Sequence, residues 1–89
     1  MTEKPTKSKA DFIAEERAAE RRVVQAEFEL RKAELTNDPD VIASARKAVD
    51  DARTESLNIR QIMQDGLAQW HRWDSEQELA RTARELGIA

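Results

Sequence analysis

The stretch Thr36-Asn37-Asp38-Pro39-Asp40 divides the chain into two long segments that are rich in helix-forming residues. Pro39 disfavours helical geometry at the residue before it, so one continuous helix across this stretch is not expected. Asp38 suits the N-cap of a following helix because its carboxylate accepts backbone N–H groups, and Pro39 suits the first helical position. The stretch therefore predicts a turn at residues 36–38 with a helix on either side.

After the turn, small and apolar residues recur at alternating spacings of three and four. They are Ile42, Ala45, Val49, Ala52, Ser56, Ile59, Met63, Gly66, Trp70 and Trp73. A period of about 3.5 residues puts them on one stripe of a helix and is typical of a coiled-coil seam. It predicts helix 2 over about residues 39–73. Asp65-Gly66 also fits a helix end, but the unbroken seam favours continuation, with Gly66 as a gap that the ring of Phe12 fills.

Before the turn, a matching seam predicts helix 1 over about residues 9–35. Its members are Phe12, Glu16, Ala19, Val23, Ala26, Leu30 and Ala33. Ser8 with Asp11 resembles a capping box at the start of this helix. Because a short turn joins antiparallel neighbours, the two seams predict an all-α fold: a long antiparallel helical hairpin of the coiled-coil type.

Charged residues of opposite sign flank the two seams at heptad spacing. Beside the first lie Glu20, Glu27 and Glu34, and beside the second lie Arg46, Arg53 and Arg60. Such rows select the register of a coiled coil. The predicted pairs are Glu27–Arg46 and Glu20–Arg53, with Arg22–Glu55 on the other edge. Each exposed pair contributes only about 0–1 kcal/mol. The alternative is that these residues simply face the solvent without forming specific pairs.

Two further segments flank the hairpin. Residues 1–8 are polar and Lys-rich, which predicts a flexible tail. Ser75 with Glu78 is a second capping-box pattern, and it predicts a short helix 3 over about residues 76–86 that stops at Gly87. The chain has 89 residues, enough for one domain, which we assign to residues 9–89.

The predicted hairpin leaves large apolar residues off its seam. Val24, Phe28 and Leu35 form a stripe on the back of helix 1, and Leu57 lies on a different face of helix 2. The seam itself is rich in Ala and buries little apolar surface. Helix 3 is too short to cover the hairpin, so a second copy, as in a homodimer, or another protein is expected to complete the fold. We predict Val24, Phe28, Leu35 and Leu57 as partner-binding residues.

The densest group of residues typical of binding hot spots is Trp70-His71-Arg72-Trp73. Trp70 and Trp73 share a helix face, and the hairpin register puts them beyond the start of helix 1. We predict Trp70, Trp73 and Arg72 as a second part of the partner-binding surface. The alternative is that helix 3 folds back and packs Leu79 and Ala83 on the indoles.

Composition argues against most other functional classes. The chain has no Cys, one His, and no nucleophile, metal or phosphate motif, so we expect no catalytic site, metal, cofactor or small-molecule substrate. No apolar run reaches the roughly 20 residues of a membrane span. These features predict a soluble, cytoplasmic, non-enzymatic protein–protein interaction module, such as an assembly part, an adaptor or a small inhibitor.

The alternative function is a helical-hairpin dimer that binds RNA or DNA. Arg17, Arg21 and Arg22 cluster on helix 1, and the tail adds Lys4, Lys7 and Lys9. However, acidic residues interleave with the arginines and the net charge is −3. Nucleic-acid binders usually have a basic face, so this function is the less favoured one.

Overall fold

The computed structural model describes residues 2–88, which form two helices joined by a tight turn. Helix α1 spans Lys9–Thr36 and helix α2 spans Pro39–Glu85. They lie antiparallel in a rod that measures 74 × 16 × 15 Å. The predicted all-α helical hairpin is therefore confirmed. Met1 of the predicted tail and Ala89 of the predicted domain lie outside the described residues.

Local hydrogen bonds build the turn at the predicted place. Asn37 ends α1 in the left-handed conformation, with a φ of 57°, and its N–H donates to the carbonyl of Glu34 at 3.4 Å. Asn is one of the few residue types that adopt this conformation readily. Asp38 accepts the N–H of Asp40 at 3.0 Å, and Pro39 occupies the start of α2. The carboxylate cap and the proline thus start α2 immediately after α1 ends.

Helix α2 continues unbroken past residue 73, so the separate helix 3 predicted for residues 76–86 is wrong. Ser75 lies inside α2 rather than at the start of a new helix. Once a helix exists, each added residue gains a hydrogen bond at little extra cost. No Pro or Gly lies between Gly66 and Gly87 to stop it. The helix ends at the predicted glycine, since Gly87 adopts a φ of 69° just past it.

The last part of α2 projects beyond α1. Lys9, at the start of α1, pairs with Asp74 at 2.6 Å, and Thr2 contacts Glu76. Within residues 2–88, no helix lies beside α2 after this point. Leu79 is 70% exposed here. Because α2 does not turn back, the alternative in which Leu79 and Ala83 pack on the indoles is wrong.

The two predicted seams form the contact between the helices. Every seam residue on both helices is buried or half-buried. Phe12 lies directly on Gly66: a Cβ at residue 66 would come within 2.6 Å of three ring carbons of Phe12. The core is nevertheless small. Its buried hydrophobic residues, within the described part of the chain, are Phe12, Ala19, Ala33 and Val49.

The charged rows pair one heptad away from the predicted partners. Arg53 Nη2 lies 3.3 Å from Glu27 Oε1, and Arg60 Nη2 lies 3.4 Å from Glu20 Oε1. The predicted pairs Glu27–Arg46 and Glu20–Arg53 are therefore wrong. On the other edge, the predicted pair Arg22–Glu55 is confirmed at 2.8 Å.

The relative height of the helices explains this shift. Phe12 lies opposite Gly66, so residues whose numbers add up to 78 stand at the same height. At about 1.5 Å per residue, the heights of Glu27 and Arg46 along the rod differ by about 7.5 Å, whereas those of Glu27 and Arg53 differ by about 3 Å. The prediction assumed that residues equally distant from the middle of the turn stand at the same height. This small error in the register moved the predicted partner in each ion pair by one heptad.

Candidate interaction surfaces

Large apolar side chains remain exposed along both helices. Their exposed fractions range from 43% to 84%, and they are Val24, Phe28, Leu35, Val41, Leu57, Ile62, Leu79, Leu86 and Ile88. The structure thus places Val24, Phe28, Leu35 and Leu57, the four apolar residues predicted to bind a partner, at the surface. Singly exposed apolar residues are normal in proteins, so the informative feature is which of them lie together.

Val24 and Leu57 lie together, on opposite sides of one groove between the helices. This groove has a volume of about 480 Å³, and we call it the central groove. Its lining residues are Glu20, Val23, Val24, Arg53, Ser56, Leu57 and Arg60. Apolar side chains and charged side chains of both signs therefore line the same groove, a combination suited to contact with another helix.

The sequence patterns did not bring Leu57 and Val24 together. Each of the two directly follows a seam residue, Val23 or Ser56. Each therefore lies on the same edge as its Glu or Arg row, and equivalent positions of antiparallel helices share an edge. The signal was present in the heptads, but it appears only when the two helices are compared at equivalent positions.

Phe28 and Leu35 do not line the central groove and lie further around α1. The ammonium of Lys32 lies 5.0 Å from the centroid of the Phe28 ring, a cation–π contact that covers part of the ring. Leu35, near the turn, is the most exposed large apolar residue in the described chain. These two residues extend the apolar surface beyond the groove along α1.

Trp70 and Trp73 form a second cluster near the start of α1. Their ring centroids are 5.8 Å apart and their planes meet at 84°, an edge-to-face contact. The indole N–H of Trp70 donates to the carbonyl of Lys7 at 2.7 Å. The ammonium groups of Lys9 and Lys4 lie 5.4 Å from the ring centroids of Trp70 and Trp73. Residues 2–7, which we call the N-terminal segment, therefore lie against the half-buried Trp pair.

Glu76 holds the start of the N-terminal segment. Its carboxylate accepts the hydroxyl of Thr2 at 2.7 Å and the backbone N–H of Thr2 at 2.8 Å. These hydrogen bonds favour the charged form and lower the pKa of Glu76 below its ordinary value of 4.5. Arg72 is exposed and borders the gap between the segment and α2. Sequence reasoning missed these contacts, and the flexibility of residues 1–8 stays a prediction.

Glu16 is the one acidic residue inside the seam of α1. Its pKa is raised above 4.5, first by a side-chain hydrogen bond with Glu20, then by burial and by the negative charge of Glu20. Arg60 Nε lies 3.7 Å from Glu16 Oε1 and opposes this shift. Protonation of Glu16 is therefore easier than protonation of an ordinary exposed glutamate.

The cations of the nucleic-acid alternative are largely directed at the chain itself. Arg22 pairs with Glu55, Lys7 with Glu15 and Lys9 with Asp74. Lys4 lies over the Trp73 ring. A cation that already has a carboxylate partner contributes little net field for phosphate binding. Arg17 and Arg21 alone remain exposed on α1 without an ion pair, among the basic residues of this alternative that the structure describes.

Metal sites and membrane-spanning helices are absent from the described residues. Among residues 2–88, no group of His, Cys, Asp or Glu side chains is placed to hold a metal ion. Neither described helix combines the length and apolar character that crossing a membrane requires. No family model, no curated protein and no solved structure matches the chain. The central groove and the Trp pair are therefore interpreted from their own chemistry.

Proposed function

We propose that this chain is a non-enzymatic protein–protein interaction module that acts through its exposed apolar residues. Its role is that of an assembly part, an adaptor or a small inhibitor of a larger machine. The supporting observation is an imbalance within residues 2–88: two of the four buried hydrophobic residues are Ala, whereas nine large apolar side chains are exposed. In small proteins such side chains are commonly covered by another chain.

The central groove is the main contact surface in this proposal. It presents Val24 and Leu57 together with Glu20 on one helix and Arg53 and Arg60 on the other. A helix of a partner places its side-chain ridge in such a groove and buries the apolar side chains. The charged residues of the groove then select the partner and its direction.

The Trp pair is the second surface of the proposal. Trp and Arg are the residues most enriched at binding hot spots, and Trp70, Trp73 and Arg72 lie within one turn of α2. A partner reaches the indoles after it displaces the N-terminal segment.

We also propose a cytoplasmic location, since a chain without Cys has no disulfides that require an oxidising compartment.

Substitution in the central groove tests this function. The wild type, Val24→Asp and Leu57→Asp are compared by light scattering at several concentrations and by pull-down from lysate of the native host. Thr54→Asp is the matched control, because it adds the same charge at an exposed position of α2 outside the groove. Circular dichroism checks that each variant keeps its helices.

We expect the wild type and Thr54→Asp to associate, with themselves or with a captured protein, and both groove variants to lose that association. Identical behaviour of all four proteins contradicts the proposed surface. A wild type that stays monomeric, captures nothing and instead binds RNA or DNA with a steep dependence on salt contradicts the function and supports the nucleic-acid alternative.

A further inference from the structure

We infer that a second copy of this chain occupies the central groove. The two hairpins lie face to face with their turns at the same end, so that α1 of one copy contacts α2 of the other. A two-fold axis along the rod generates this arrangement, and its contacts are reciprocal. This inference rests on the proposed function, and it names the partner and its orientation.

The exposed area leaves room for such a partner. The chain exposes 6884 Å², whereas a compact monomer of 10.2 kDa exposes about 5,300 Å². The excess is about 1,600 Å². A standard interface buries roughly 800 Å² on each partner. A long hairpin that docks along its face on an identical hairpin can therefore bury a full interface and still expose no less than a compact protein.

The charged rows fit this arrangement. A two-fold axis along the rod keeps every residue at its own height, so each α1 residue meets the α2 residue of the other copy that it already faces within its own hairpin. Glu20 meets Arg60, and Glu27 meets Arg53, in both the same chain and the other copy. Each carboxylate then lies among guanidinium groups, and no charge in these rows is buried without a partner.

The next row outward supplies independent support. Val24 and Leu57 both line the groove and differ in height by only about 4.5 Å, so Val24 of one copy lies within reach of Leu57 of the other. One heptad nearer the turn, the equivalent residues are Arg31 and Asp50, which have opposite charges. Within residues 2–88, neither Arg31 nor Asp50 forms an ion pair in its own chain. Both are therefore available to a second copy.

The opposite orientation is disfavoured by the same residues. If the turns were at opposite ends, α1 would lie on α1 and α2 on α2. The Glu20, Glu27 and Glu34 row would then face its own copy, and the Arg46, Arg53 and Arg60 row would do the same. Like charges in contact across an interface are unfavourable, and they suppress wrong arrangements. The charge pattern thus selects the turns-together dimer.

Disulfide cross-linking tests the orientation directly, because the chain has no Cys of its own. Single variants Val24→Cys and Leu57→Cys are unfolded together in urea, refolded as an equal mixture and mildly oxidised. Intact mass separates the three possible disulfide dimers. We expect the mixed Val24→Cys/Leu57→Cys dimer in clear excess over the statistical half. An excess of the two like-with-like dimers overturns the arrangement.

A charge reversal provides the second readout. We expect Arg31→Asp to weaken self-association by about tenfold, because two Asp side chains then meet across the interface. The double variant Arg31→Asp/Asp50→Arg is expected to restore it, and Lys47→Asp, an exposed control on α2, to leave it unchanged. A dimer whose self-association is unchanged by all of these substitutions overturns the inference but leaves the proposed function standing. A monomer that captures no partner overturns both.

Discussion

Gly66 lies in the middle of α2, and the ring of Phe12 fills the space that a side chain there would occupy. Ala at this position would gain about 1 kcal/mol of helix propensity. Overpacking in a close contact typically costs about 1–3 kcal/mol. Since a Cβ would come within 2.6 Å of three ring carbons, we expect the steric cost to exceed the gain. Gly66→Ala should lower the free energy of unfolding in urea by about 1 kcal/mol.

The double variant Phe12→Leu/Gly66→Ala is the control for this prediction. Leu is shorter than Phe and leaves room for the added methyl group, so Gly66→Ala should be neutral or stabilising in that background. A Gly66→Ala protein that is more stable than the wild type, with Phe12 intact, would show that the ring does not fill the seam here.

Glu16 has a raised pKa, so its protonated form favours the folded state. The stability that this proton contributes is full below the ordinary pKa of 4.5 and is lost as the pH rises through the raised value. Gln imitates the protonated carboxyl at every pH. We therefore expect Glu16→Gln to have a higher free energy of unfolding than the wild type at pH 7, and the difference to vanish below pH 4.5.

Urea denaturation at pH 4 and pH 7 measures this difference. Glu34→Gln serves as the control, since Glu34 is an exposed carboxylate on the same helix. If Glu16→Gln is less stable than the wild type at pH 7, the ion pair with Arg60 outweighs the repulsion from Glu20.

Helix α2 is continuous over the region where the sequence predicted two separate helices. Gln77 would lie in the first turn of a helix that began after Ser75, where Pro is tolerated. In the continuous α2, a Pro at residue 77 removes a hydrogen bond and clashes with the carbonyl four residues earlier. We expect Gln77→Pro to lose helical ellipticity at 222 nm, and Gln77→Ala to retain it. Equal ellipticity of the two variants would support a helix break near residue 75.

The N-terminal segment is held by a titratable contact. Because the pKa of Glu76 is lowered, the stability from its hydrogen bonds to Thr2 is present above pH 4.5 and is lost as the pH falls through the lowered value. We expect Trp emission to shift to the red over this acidic range as the segment leaves the Trp pair. Glu76→Gln should be shifted already at pH 7 and show no such step. A red shift of the same size and midpoint in both proteins would contradict the contact.

These two elements show where local sequence patterns lose information. A capping box marks a possible helix start, but it competes with propagation from the helix before it, and Ser75 follows a long helix without a Gly or Pro near it. The segment at residues 2–7 has no periodicity of its own, so its position depends on the Trp pair it covers. That dependence on distant residues is invisible to a reading of the tail alone.

For the whole molecule, the heptads predicted the fold because they specify contacts for every turn of both helices. All seam residues are buried or half-buried, and the Asn37-Asp38-Pro39 turn sets the antiparallel direction. The register was predicted less accurately than the fold, because an offset of a few residues at the turn moves the partner in each ion pair by one heptad. Val24 and Leu57 share an edge because they occupy equivalent heptad positions, but which residues stand level along that edge depends on the register, and the structure supplies it.

The hairpin has a long contact surface but a thin core, and we infer that a second copy covers the central groove. Sedimentation equilibrium at several concentrations, on the wild type and on Leu57→Asp, tests this claim most directly. We predict a wild-type mass near twice the 10.2 kDa of the chain and a monomeric Leu57→Asp with unchanged helical content. A wild type that is fully helical and monomeric at every concentration would contradict it.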